Sequence, residues 1–241
     1  MSISDSLPNE DPSLEPSNSL NKELNQEKLT TPRLKLDAPL RMVETAFLAS
    51  AGSLIWLINL YFPLGPVLRI FFPLPIALVY LRWGKRAAWM AAVTSGLLLC
   101  VLIGPVRSVL FVMPFAFMGV LLGLTWHRRA SWLVSITLGT LLGTLGVFFR
   151  LWLLSLFSGE DLWVYAINQV TELIDWAFMR LQLLATPSLF LIQMGAVLLI
   201  VFNNLIYLFM VHLAAWLLLE RLGNSIPLPP QWVQVLMDYE G

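Results

Sequence analysis

Charge is scarce in this sequence. Asp, Glu, Lys and Arg make up 12% of its 241 residues, and 15 basic side chains balance 15 acidic ones. A chain so poor in net charge has no field that would gather polyanions, and no nucleic-acid partner is expected. Cysteine is nearly absent: Cys100 stands alone inside an apolar run, which excludes a disulfide within the chain and any Cys pair for metal or redox chemistry. The two histidines, His127 and His212, are too few for a His-based metal cluster. No Walker A sequence, His-Glu-x-x-His or Gly-x-Ser-x-Gly occurs, and no nucleophile stands beside a base in the sequence. Neither catalysis nor a bound cofactor is expected.

What is abundant is apolar sequence. Hydrophobic residues make up 58% of the chain and its mean hydropathy is +0.75, which excludes an ordinary soluble domain and points to a polytopic membrane protein whose partner is the lipid bilayer. Residues 1–40 are the exception. They are rich in Ser, Pro, Asn, Glu and Lys, lack apolar periodicity, and read as a disordered tail. Seven acids before Pro39 argue against an organelle transit peptide, and no short apolar region follows a basic start, so the first membrane helix serves as the targeting signal.

The stretch Val67–Arg86 organises the rest. Pro73 and Pro75 interrupt its first third, Arg69 stands near one end, and Arg82, Lys85 and Arg86 mark the other. Prolines free backbone carbonyls, and in hydrocarbon these survive only against protein or a cavity, so the segment belongs inside a bundle. Apolar periodicity and length predict an all-α protein with six membrane spans over residues 41–222. The spans are Met42–Phe62, the stretch after Val67, Ala87–Ile103, Arg107–Trp126, Trp132–Phe157 and Ser188–Leu219. Residues 223–241 form a C-terminal tail. Ala46, Ala49, Ser50 and Gly52 give the first span a flank for close helix approach, and Gly119/Gly123 and Gly139/Gly143 repeat the small-xxx-small spacing.

Between the fifth and sixth spans an amphipathic helix is expected from Leu162. Leu162, Ala166, Val170, Leu173, Ala177 and Leu181 form its apolar row, and Asn168, Glu172 and Asp175 a polar stripe. It reads either as a helix lying on the membrane surface or as a lid over an external pocket.

Basic residues near the span ends divide nine to four. Arg33, Lys35, Arg41, Arg82, Lys85, Arg86, Arg128, Arg129 and Arg221 fall on one side, and Arg69, Arg107, Arg150 and Arg180 on the other. The positive-inside rule then places both termini in the cytoplasm, with the protein integral to the cell's inner membrane or to a thylakoid membrane. A weak repeat relates Gly65-Pro66-Val67 to Gly104-Pro105-Val106, 39 residues on, with Pro75 matching Pro114. Each copy opens with Gly-Pro, carries an arginine and breaks at a proline.

An arginine at the centre of a membrane helix costs roughly 2.5 to 3.5 kcal/mol and usually has a partner or a task. Arg69, Arg107 and Arg150 all fall in the outer half. They either snorkel and pair with Glu160, Asp161, Glu172 and Asp175, or hold an anionic solute bearing carboxylate or phosphate. Asn203 and Asn204, near mid-membrane, either glue helices together or read a ligand.

The segment FPLPIALVYLRWG, the run LLLCVLIGPVRSVLFVMPFAFMGVLLGL and the end LLLERLGNSIPLPPQW together resemble the YybS-like family of uncharacterised polytopic membrane proteins, in its cyanobacterial branch. The resemblance covers about Arg41 to Trp232. That family is similar in layout to the substrate-binding membrane subunits of energy-coupling-factor vitamin transporters. The similarity implies capture of a small anionic or vitamin-like solute from outside, with separate coupling and ATPase subunits supplying the energy. It also implies docking of the coupling subunit on an Ala-x-x-x-Ala pattern in the first span, met here by Ala46 and Ser50. The alternative is a non-transporting scaffold or assembly factor for another membrane complex.

Overall fold

The computed structural model describes residues 32–62, 66–180, 188–223 and 227. Expectations for residues 1–31, for the turn at 63–65, for Leu181 and for most of the C-terminal segment therefore fall outside the described residues. Among the described residues the protein is all-α: α1 (Pro32–Tyr61), α2 (Pro66–Ile70), α3 (Leu74–Ile103), α4 (Pro105–Phe111), a π-helical stretch (Val112–Ala116), α5 (Phe117–His127), α6 (Trp132–Ser158), α7 (Leu162–Arg180) and α8 (Leu189–Arg221). Helix α1 already begins at Pro32, ahead of the boundary at residue 40, because proline is pre-shaped for a first helical turn. Residues 44–241 form one compact unit, and residues 1–43, including the first turns of α1, form another.

Among the described residues five helical stretches are long and apolar enough to cross a membrane: Ala38–Tyr61, Val67–Ile103, Pro105–His127, Trp132–Ser158 and Leu189–Leu219. The difference from six arises at one residue. The second and third expected spans are continuous helix in α3 except at Gly84, whose φ of 81° and ψ of −175° only glycine adopts readily. The contacts on either side of it show what this does to the chain. Pro75 lies against Gly52 of α1, while the Ser95 hydroxyl donates to the carbonyl of Ala49, one turn away on the same helix. A straight helix would hold Pro75 and Ser95 about 30 Å apart. The chain therefore doubles back at Gly84.

Register against α5 agrees. Gly119 meets Ile76 and Gly123 meets Tyr80, so the first leg of α3 runs parallel to α5. The second leg runs antiparallel to α4 and α5, with Gly96 against Val112 and Trp89 against Phe117. The proline-bearing leg is the centre of the molecule: every residue from Phe72 to Tyr80 is buried. Its neighbour breaks in the same way, the α4–α5 path passing through the π stretch at Met113-Pro114. Trp56, Phe72, Phe111 and Phe115 pack their rings 5.0 to 5.5 Å apart around these two breaks.

The small residues of α1 serve two faces. Ala49, Gly52 and Ser53 are buried against α3, whereas Ala46 and Ser50 are exposed. At the Gly84 end, Glu44 forms an ion pair with Arg82 and accepts a 2.9 Å hydrogen bond from the Trp83 indole, tying α1 to the corner. Helices α6 and α8 run antiparallel, Gly139 against Leu208 and Gly143 against Asn204.

Helix α7 packs through Trp163, Ile167, Val170 and Ile174 onto Ile192 and Ala196 of α8. The row expected from sequence shares only Val170 with this face, and its Leu173 is 60% exposed. Both rows are apolar and lie side by side on the helix. The position of Ile192 and Ala196 decides between them.

Candidate functional site

The helix registers bring Arg69, Arg107 and Arg150 to the end of the bundle opposite Gly84. Pro114 packs on Gly146, so Arg150 lies one turn further toward that end, near the level of α4 and Arg107. Phe72 meets Phe115, which puts Arg69 one turn beyond. Arg69 and Arg150 thus share one end of the bundle, and the backbone of Arg69 lies against Tyr207 of α8. All three arginines are exposed.

The backbone explains why Tyr207 is there. Pro73 has no N–H to give to the carbonyl of Arg69 four residues earlier. That carbonyl accepts instead from the Phe72 N–H at 3.2 Å and from the Tyr207 hydroxyl at 3.0 Å. A tyrosine within an apolar run is the signal by which sequence reasoning could have found it, since a buried hydroxyl needs a partner.

Among the described residues the ion pair Arg82–Glu44 lies at the other end, and none joins Arg69, Arg107 or Arg150 to an acid. Glu172 and Asp175 are exposed on α7. Asp161 is occupied locally, its carboxylate accepting from the backbone N–H groups of Trp163 and Val164 as the cap of α7. The two asparagines part company. Asn204 donates to the Ile200 carbonyl at 3.0 Å and to Thr144 at 3.5 Å, with Gly143 close against it, so it binds α8 to α6. Asn203 is exposed, and no hydrogen bond is recorded for its amide.

A second constellation escaped sequence reasoning. His212, fully buried in α8, lies with Nδ1 2.8 Å from the Leu208 carbonyl and Nε2 2.8 Å from the Ser135 hydroxyl. With Nδ1–H donating to the carbonyl, Nε2 accepts from Ser135, whose oxygen is in turn 2.8 Å from Thr125. Seventy-seven residues separate Ser135 and His212. The pair has the geometry of an activated hydroxyl. Thr125, Ser135 and His212 are all buried, with the Trp126 and Trp132 rings 5.5 and 5.4 Å from the imidazole, so the chain of hydroxyls joins α5, α6 and α8 inside the bundle.

An open groove of about 710 Å3 lies where α6 turns into α7, walled by Phe148, Leu151, Trp152, Leu156 and Trp163, with Glu160 at its edge. It holds none of the arginines. Among the described residues no three His, Cys, Asp or Glu side chains gather where a metal ion could sit.

A family described as "Predicted membrane protein (DUF2232)" matches residues 51–237. The chain belongs to that family. The match takes in both legs of α3, the arginine end and the His212 chain, and it begins within α1, after Ala46 and Ser50. No curated protein and no solved structure matches the chain.

Proposed function

We propose that this DUF2232 family member is a solute-binding membrane subunit that takes up a small anion at the Arg69–Arg150 end. The observation that carries this reading is that the helix registers gather the exposed Arg69, Arg107 and Arg150 at one end of the bundle, with no acid paired to any of them among the described residues. Like charges held together in a membrane protein call for an anion to neutralise them, and guanidinium suits carboxylate or phosphate.

The topology proposed is six crossings: α2 with the first leg of α3 covers residues 66–83 and the second leg residues 85–103, in opposite senses, about 27 and 28 Å of chain at helical rise against a hydrocarbon layer of about 30 Å. Both termini and the basic residues at Gly84 and His127–Arg129 then face the cytosol, and the arginine end faces outward. Helix α7 is the amphipathic element at the outer surface. It shields the α6–α8 contact with one face and exposes Tyr165, Trp176 and Arg180 at the interface, where aromatic residues settle. In this reading, which follows the resemblance to energy-coupling-factor substrate-binding subunits, the exposed Ala46 and Ser50 receive a coupling partner that brings its own ATPases.

Two measurements test this. In thermal unfolding of the purified protein, carboxylate or phosphate solutes at a hundred times their Kd should raise Tm by about 5 to 10 °C. R69Q/R150Q should abolish the shift. Silence across the panel, or a shift that survives the double variant, overturns the binding proposal. Separately, labels at the two chain ends should react from the same side of sealed membranes, together with a cysteine at Lys85; ends on opposite faces would mean five crossings.

The exposed Ala46–Ser50 pair also favours a second reading, a non-transporting scaffold. Purification from native membranes separates the two: co-isolated ATPase subunits favour transport, a resident membrane complex the scaffold.

A further inference from the structure

We infer that Asn203 sits at the centre of an interface between two copies of this chain, with α8 pairing against α8. The observation is a polar seam where only lipid contact would otherwise be expected. Asn203 is exposed, records no hydrogen bond, and stands near the middle of the span Leu189–Leu219. That is about 21 Å of helix from the nearer end, far beyond the reach of a short carboxamide toward headgroups.

The residues around Asn203 have a heptad rhythm. Ile192, Ala196, Leu199, Asn203, Ile206, Met210, Leu213 and Leu217 follow one another at alternating spacings of four and three, the pattern of a helix-pairing seam. Inside the molecule three of its members are already used, since α7 packs on Ile192 and Ala196 and Leu213 packs on the core. Between them, from Leu199 to Met210, the seam is bare: Leu199, Ile206 and Met210 are 55%, 44% and 39% exposed. A single asparagine within such a seam fixes partner register, and amides bond across membrane helices.

Chemistry and depth select a second copy as the partner. A carboxamide both donates and accepts, so it is complementary to itself. Two copies inserted with the same topology carry Asn203 at identical depth, and a two-fold axis along the membrane normal turns the two amides toward each other. The inference does not depend on the arginines binding an anion.

The test is cysteine cross-linking of the full chain in native membranes, with Cys100→Ala removing the only other thiol. Cysteines at Leu199, Asn203, Ile206 and Met210 should join two copies, whereas those at Leu198, Val201 and Leu205 should not. Asn203→Leu, an exposed change that leaves the fold intact, should weaken self-association roughly three- to thirty-fold. Cross-links without this periodicity, monomers throughout, adducts to a different protein at Asn203, or an Asn203→Leu variant that dimerises as before would each overturn the inference.

Discussion

Alanine at Gly123 should lower the stability of the purified protein by about 1 to 3 kcal/mol, a fall in Tm of roughly 2 to 12 °C. A Cβ there would lie 2.7 Å from Cγ of Tyr80 and 3.2 Å from the carbonyl oxygen of Ala77, and it would press directly on Cβ of Tyr80. Cβ of Tyr80 and the Ala77 carbonyl cannot swing away, because both move only with the helix. Two effects oppose each other. Gly-to-Ala within a helix gains up to about 1 kcal/mol from backbone entropy, while separating the central leg of α3 from α5 loosens the most buried contact in the molecule.

Gly195 provides the comparison. Its nearest neighbour is Cδ1 of Ile174 at 3.8 Å, an ordinary contact, so Gly195→Ala should show the entropic gain alone. Thermal unfolding of the two variants side by side checks the argument. Equal stability of Gly123→Ala and the parent chain would mean that α3 and α5 are not packed as described.

The second large effect is expected at His212. Truncation to alanine empties a site between Trp126 and Trp132 and leaves the Ser135 hydroxyl without its acceptor. Cavity formation around a large buried ring costs about 3 to 5 kcal/mol, with a further 1 to 3 kcal/mol for a stranded polar group. Phenylalanine separates the contributions, since it fills the volume and cannot accept a hydrogen bond. His212→Phe should recover most of the packing loss and retain the hydrogen-bond loss. Denaturant or thermal titration of both variants reads the split. If the two variants unfold alike, the ring's packing is not what matters.

Much of the framework could be read before any coordinates. The basic clusters at Arg82–Arg86 and His127–Arg129 mark the ends of apolar runs because guanidinium and ammonium groups are held out of hydrocarbon. Gly119 and Gly123 announce a close helix contact through their spacing, and the contact is there. Other features were invisible for physical reasons. Gly84 looks like any glycine in a basic stretch, and nothing local states that its φ will be positive. Glu44 reads as an interruption of the first span, and only the approach of Trp83 and Arg82 makes it a clamp. Glycine spacing says that something approaches, and it leaves open whether the visitor is Tyr80 or Leu208.

By itself, then, the sequence determined the solvent and the secondary structure, because hydropathy, span length and proline placement act through the few residues around each position. It also confined Arg69, Arg107 and Arg150 to one end. The tertiary structure alone decided which helix meets which. It doubled the chain back at Gly84, chose the Ile167 row of α7 over its neighbour, and brought Ser135 to His212 across 77 positions. Such pairings rest on contacts between surfaces that are all apolar, where composition does not discriminate and the fit of shapes does.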